Sequence, residues 1–317
     1  MSSNPSNPLT WSAALERYVD HLQARRISPM TIRSRRYDLL GLRTHLRAEA
    51  RDPIRVSLGD LRGYQLGLLT GDASRRGKPL SAGSVARLTA ALRHFFQFLA
   101  AEGLLERDPA ARLERPRVKP RLPGAVLTVA EVKRLLSAAE ASPRGLRDRA
   151  VVEVLYATGV RRAELRNLDL ADLDHAERTL LVRAGKGDKD RLLPLTRSAY
   201  LTLTAYLQRG RPALVTSHAD STRALLLSER GRRLSSMALA DSLAKLARAA
   251  GLVKRVTPHT LRRTCATHLL QNKVSLRHIQ LLLGHADLSI TALYLRLDTS
   301  DLRRELLQRH PRERFEA

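Results

Sequence analysis

Cysteine is almost missing from this 317-residue chain, which has only Cys265. A lone thiol excludes an internal disulfide and a cysteine-rich zinc site, and Cys265 reads as a small buried hydrophobe. Aromatic residues make up 4% of the chain, too few for the base-stacking platforms of single-strand binders. No apolar run approaches the roughly 20 residues of a membrane-spanning helix. Residues 1–10 are polar and carry Ser and Pro, without the apolar centre of a secretion signal. These absences lead us to expect a cytosolic protein with no membrane partner. The phosphate-binding pattern GxxxxGK[ST] and the zinc pattern HExxH are both missing, and no carboxylate cluster suggests two-metal nuclease chemistry. We therefore expect no cofactor and no metal. Acid is also short: 31 Asp and Glu stand against 56 Lys and Arg, a formal charge of +25. Such an excess favours a polyanionic partner, and arginine without aromatics suits phosphate and groove contacts on duplex DNA.

What is present fits two domains of ordinary size, with hydrophobic content of 43% supplying real cores. Residues 11–25 begin an amphipathic helix. Ser28 and Pro29 start the next, which runs toward Arg47, with Ile32, Leu39, Leu42 and Leu46 on one stripe. Arg33, Arg36, Arg43 and Arg47 form a basic face beside it. A third helix follows Ser57. A fourth runs from about Ser81 to Leu104, with Val85, Leu88, Leu92, Phe96 and Leu99 on its apolar side; the loop before it carries Arg75, Arg76 and Lys78. Any one of these arginines would pass for solvated helix surface; together they give the four-helix domain a basic side. Residues 115–124, RPRVKPRLPG, have neither helical nor strand period and read as an exposed basic linker. We place a helical domain at 1–114, the linker at 115–126 and a second domain at 127–317.

In the second domain Thr128 and Glu131 form a capping box. The stretch RDRAVVEVLYATG is apolar almost all round and reads as the buried central helix, ended by Gly159. Arg161 follows at the edge of that core, and Glu164, one turn on, reads as a salt-bridge partner that holds the local fold. Residues 178–183 and 191–195 are short apolar runs around AGKGDKD, which predicts a β-hairpin with Lys186 near its tip. Helices near 197–209 and 236–250 follow, with a short strand around 224–227 between them.

Residues 257–294 organise the rest. Thr257 and Pro258 predict a helix start, which sets His259 and Arg262 one turn apart on one face. A second helix begins after Ser275 and stops near Gly284, with His285 on the turn. A third, capped by Asp287 or Ser289, carries Tyr294. His259 alone would pass for a capping or buried histidine, and Tyr294 alone for a half-buried amphipathic side chain. As a set they bring a guanidinium fork for phosphate oxygens, two imidazoles that titrate near neutrality and a phenol. That combination suits metal-free attack on a phosphodiester by tyrosine. His268 lies on a different face from His259 and reads as structural.

This set, carried by HTLR, LLLGHADLSITALY, ATGVRRAEL and GKGDKDRLLPL, resembles the tyrosine recombinase family of phage, plasmid and chromosomal site-specific recombinases. The resemblance covers essentially the whole chain. It implies a mainly α protein with a small β-sheet or hairpin in its C-terminal half: a two-domain DNA clamp of a helical core-binding (SAM-like) domain and a catalytic domain. It further implies that Tyr294 attacks a backbone phosphate to give a 3′-phosphotyrosyl link and a free 5′-hydroxyl. Arg161 and Arg262 would hold the non-bridging oxygens, His285 would add a hydrogen bond, Lys186 would protonate the leaving 5′-oxygen, and His259 would assist proton transfer. Arg263 and Thr264 after HTLR, and Leu295 and Arg296 after Tyr294, depart from the common pattern without replacing a catalytic group. The compact plan and the tail LRRELLQRHPR look most like the Xer recombinases that resolve chromosome or plasmid dimers. That implies a homo- or hetero-tetramer on two sites, with a second recombinase and a septal DNA translocase as partners, in the nucleoid-associated cytoplasm. In the family such a tail can dock on a neighbouring subunit. The alternatives are a mobile-element integrase of simple plan, a catalytically idle DNA-binding accessory protein of the same fold, a type IB topoisomerase and an RNA-binding helical protein.

Overall fold

The structure is a computed structural model that describes residues 9–46, 53–118, 125–183, 190–217, 220–284 and 299–314. The chain divides into two compact units, Met1–Arg121 and Leu122–Ala317, each with its own apolar core.

The first unit packs α1 (Trp11–Ala24), α2 (Pro29–His45), α3 (Leu58–Thr70) and α4 (Ala82–Ala101). Their starts are set locally: the side chains of Thr10, Ser28, Ser57 and Ser81 each accept a backbone N–H of the first turn. Asp60 returns the bond to Ser57, closing a capping box. The core is built on aromatics, with Trp11 stacked on Phe95 at 6.0 Å and Tyr18 edge-on to Phe95 at 5.2 Å. Asp38, on α2, is buried, and Arg87 of α4 meets its two oxygens at 2.5 and 3.0 Å, so the acid that burial would penalise is paired. Gly71 ends α3 at φ +108, where a Cβ would meet the backbone of Gly77, Lys78 and Pro79 within 3.1–3.2 Å. Only glycine lets the loop that presents Arg75, Arg76 and Lys78 fold back this tightly. Arg75 lies over the ring of Tyr37 on α2, 4.0 Å from its centroid, so that loop and the basic face of α2 share one side of the unit.

The second unit is centred on α6 (Pro143–Thr158), whose residues from Ala150 to Thr158 are all buried. Around it lie α5 (Val129–Ser137), α7 (Arg162–Asn167), α8 (Arg197–Ala205), the four-residue α9 (Asp220–Arg223), α10 (Ser236–Ala249), α11 (Pro258–Gln271), α12 (Leu276–Leu283) and α13 (Thr299–Arg309). The Thr128–Glu131 capping box forms as expected, and Thr257 and Ser275 cap α11 and α12. The hairpin is β2 (Thr179–Val182) against β3 (Arg191–Pro194), antiparallel with Leu181 opposite Leu192; β1 (Leu173–Asp174) adds a third, antiparallel edge strand. The strand expected around 224–227 is instead a pair of isolated bridges, Asp169 to Ala224 and Leu227 to Arg233. The helix expected to reach residue 209 turns at Ala205 into a π-turn, Tyr206–Gly210. Gly210, at the end of this turn, lies against Pro143 and Leu146, where a Cβ would sit 3.0 Å from the Pro143 carbonyl oxygen. Among the described residues no helix is long and apolar enough to cross a membrane.

The C-terminal segment lies on the second unit itself. Leu306 is buried, Arg303 pairs with Glu177, His310 is fully buried against the Tyr156 carbonyl, and Arg312 grips the buried Glu153.

Candidate active site

Two glycine-terminated helices end at the same place. Gly159 closes α6 at φ +61, and a Cβ there would lie 2.4 Å from Leu283 Cδ2, so the glycine both permits the left-handed turn and makes room for the end of α12. Gly284 closes α12 at φ +60. The carbonyls freed at these ends take the two arginines. Arg262, on α11, donates from Nη1 to the Gly159 oxygen at 2.6 Å and from Nη2 to the Leu283 oxygen at 2.7 Å. Arg161, the residue before α7, donates from Nη2 to the Gly284 oxygen at 2.5 Å. Arg161 and Arg262 therefore hold successive carbonyls of one helix end, whose dipole carries partial negative charge.

Glu164 fixes the other side of Arg161. Its carboxylate accepts the Arg161 backbone N–H and Nη1, both at 2.8 Å. It also accepts Arg191 of β3 at 3.1 Å from Nη1 and 2.7 Å from Nη2. Burial opposes its ionisation, but the hydrogen bonds from Arg191 and Arg161 outweigh burial and hold the carboxyl down at about 2. Glu164 is thus the local ion-pair partner that its spacing suggests, shared between two arginines. Arg191 went unassigned by sequence reasoning; its only signal is a charged residue opening the apolar run RLLPL.

Arg262 is 7% exposed, and among the described residues its partners are neutral carbonyls. Burial, and then the charge of Arg161, lower its pKa to about 10, so it stays cationic at neutral pH in a place where cations repel. Two neighbouring guanidiniums that, with Arg191, outweigh the Glu164 carboxylate beside them are stabilised once an anion enters between them. His259 is exposed in the first turn of α11, one turn ahead of Arg262. Lys186, His285 and Tyr294 lie outside the described residues. Cys265 is fully buried behind Arg262, and burial raises its thiol to about 12; His268 is buried with Nδ1 2.8 Å from the Tyr156 hydroxyl. In the first unit Arg33, Arg36, Arg75, Arg76 and Lys78 are exposed and Arg43 is half-buried, while Arg47 lies outside the described residues. Among the described residues no group of His, Cys, Asp and Glu could hold a metal ion.

Residues 125–301 match the family described as the Phage integrase family, and residues 15–103 match the phage integrase N-terminal SAM-like domain. The chain belongs to the phage integrase family. It is a site-specific tyrosine recombinase, a DNA-breaking and -rejoining enzyme. The recombinase is 40% identical over 312 residues to tyrosine recombinase XerD of Mycobacterium tuberculosis, covering 96% of this chain and 99% of the relative. It is 36% identical over 301 residues to tyrosine recombinase XerC of Oceanobacillus iheyensis, with 94% and 96% covered. Its fold matches the Tn1549 transposon integrase solved with circular intermediate DNA, at a TM-score of 0.67 and 20% identity, covering 93% of this recombinase and 98% of that chain.

Proposed function

We propose that this recombinase resolves chromosome or plasmid dimers, cutting and rejoining duplex DNA at a specific site in the cytoplasm. The reading rests on one observation above all: Arg161 and Arg262 are anchored on neighbouring carbonyls of one helix end, and among the described residues the groups that Arg262 bonds are neutral. The scissile phosphate enters between the two guanidiniums. As the phenol of Tyr294 attacks phosphorus, the two guanidiniums stabilise the negative charge that grows on the non-bridging oxygens, and His285 hydrogen-bonds to the same group. Lys186 gives a proton to the departing 5′-oxygen, and His259 moves the proton at the phenol and in religation. The 3′-phosphotyrosyl link keeps the energy of the broken bond, so rejoining needs no nucleotide. The exposed Arg33, Arg36, Arg75, Arg76 and Lys78, with Arg43 and Arg47, contact the DNA backbone from the N-terminal unit. Four subunits, all alike or shared with a second recombinase, act on two sites, with a septal DNA translocase as activator.

Footprinting on the host genome should reveal a discrete protected site. A duplex of that site, nicked so that cleavage loses a short fragment, should trap a protein–DNA adduct in EDTA. Tyr294→Phe should lose the adduct and keep the footprint. An adduct that forms only with magnesium, or that survives Tyr294→Phe, overturns the proposal, and a site at the end of a mobile element assigns the enzyme to integration instead.

A further inference from the structure

Arg191 has no part in the chemistry proposed so far, yet it is 14% exposed and makes both oxygens of Glu164 its partners. Its Nε is buried with no hydrogen-bond partner among the described residues. It reaches this position over Gly284, where a Cβ would stand 3.0 Å from its Cζ. The same glycine carbonyl receives Arg161. One carboxylate is therefore shared by two guanidiniums, and the trio carries a single net positive charge. Without Arg191, the whole charge of Glu164 would fall on Arg161, giving a closed, neutral ion pair. A guanidinium already compensated by a carboxylate attracts a phosphate weakly, because the two anions compete for one fork and repel each other.

We propose that Arg191 is a positioning residue that neutralises Glu164, so that Arg161 keeps its positive charge for the scissile phosphate. The inference rests on the recombinase reading above and deepens it. The field of Arg191 also extends to Arg262, whose cationic form it opposes after burial and Arg161, as expected of a cation aimed at the same anion. The competing explanation is mechanical: Arg191 merely ties β3 to α7.

Charge and mechanics part company in a double variant. Arg191→Gln should slow adduct formation on the nicked duplex about 100-fold, the cost typical of losing one donor to transition-state charge. Arg191→Gln with Glu164→Gln has lost both ion pairs but regains the wild-type net charge, and it should recover at least about 10-fold of that loss. Arg191→Lys, which keeps the charge but not the fork, should stay within about 10-fold of wild type. Thermal melting of each variant reports folding. A double variant no faster than Arg191→Gln overturns the proposal, and should Arg191→Gln not fold, a folded Arg191→Lys slowed by about 100-fold overturns it equally. Wild-type protein separates the two readings: no adduct from wild type defeats the recombinase reading and this inference together. Adduct from wild type without rescue defeats only the role of Arg191.

Discussion

Arg262 would be an unfavourable residue in most cores, since it is buried, bonded to two neutral carbonyls and close to a second guanidinium. Its geometry explains why lysine cannot replace it. An ammonium is a point charge on a flexible stem and cannot span the Gly159 and Leu283 oxygens while also offering a flat edge to phosphate. Arg262→Lys should therefore lower the rate of adduct formation on the nicked site by about 100-fold or more, with the footprint retained. Gly284→Ala tests the neighbouring constraint. Its φ of +60 is costly for alanine, by roughly 1–2 kcal/mol, and the new methyl would press on the Arg191 guanidinium. Urea denaturation should register the loss of stability, and adduct formation should slow as Arg191 is pushed from Glu164. The sequence announces Arg161 and Arg262 because each sits beside a local marker, a helix-ending glycine and a Thr-Pro helix start. Arg191 has no such marker. Its partner lies across the fold, and the apolar period of RLLPL shows where the strand runs without showing that its first charge turns inward.

Helix starts were legible for the same local reason: Ser28, Ser57, Ser81, Thr128, Thr257 and Ser275 each need only the next turn to act as caps. Elements decided by distant contacts were not. The π-turn after α8 ends where Gly210 packs on Pro143, and the two-residue β1 pairs with β2. The C-terminal segment is another such element: its amphipathic pattern predicts a helix but not the surface that receives it. Arg312 brings a guanidinium to Glu153, which is fully buried. Arg312→Ala should leave that carboxylate uncompensated and cost about 3–5 kcal/mol, measurable by urea unfolding. His310 makes the docking pH-dependent. Its Nδ1 accepts the Arg312 backbone N–H and its Nε2 faces the Tyr156 carbonyl, so the ring is held neutral, and burial lowers its pKa to about 4. Between about 6.5 and 4 the unfolded chain takes up a proton that the folded chain refuses, so stability falls as pH drops through that window, by on the order of 3 kcal/mol. The melting temperature of wild type should decline between pH 7 and pH 5 more steeply than that of His310→Gln, whose amide can replace both bonds without titrating.

At the scale of the molecule, each unit has its own core, so the connecting chain need carry no packing load. The first unit holds the chain through Glu114, whose carbonyl accepts Gln65 Nε2 at 2.9 Å, and through the buried Leu113. The second unit takes hold at Leu127, buried and donating its N–H to Thr264 Oγ1 at 3.1 Å. Arg115, Arg117 and Val118, between these anchors, are exposed. We propose that residues 115–126 are the linker between a DNA-binding unit and a catalytic unit that grip one duplex together. Trypsin supplies the test, since it cuts after Arg or Lys except before Pro: in RPRVKPRLPG that leaves Arg117 and Arg121 as the open bonds. Brief digestion should yield two resistant fragments, meeting at those residues, that melt independently. Cutting the tether turns one two-handed binding event into two separate ones, and affinity for the footprinted site should fall by about 100-fold or more while no contact residue is lost. DNA protection should run the other way: with the intact chain seated on its site, a linker that crosses the phosphate backbone is covered, and cleavage after Arg117 should slow. A first cut inside either unit, or fragments that together bind the site as tightly as the intact chain, would show that the two halves do not act as a tethered pair.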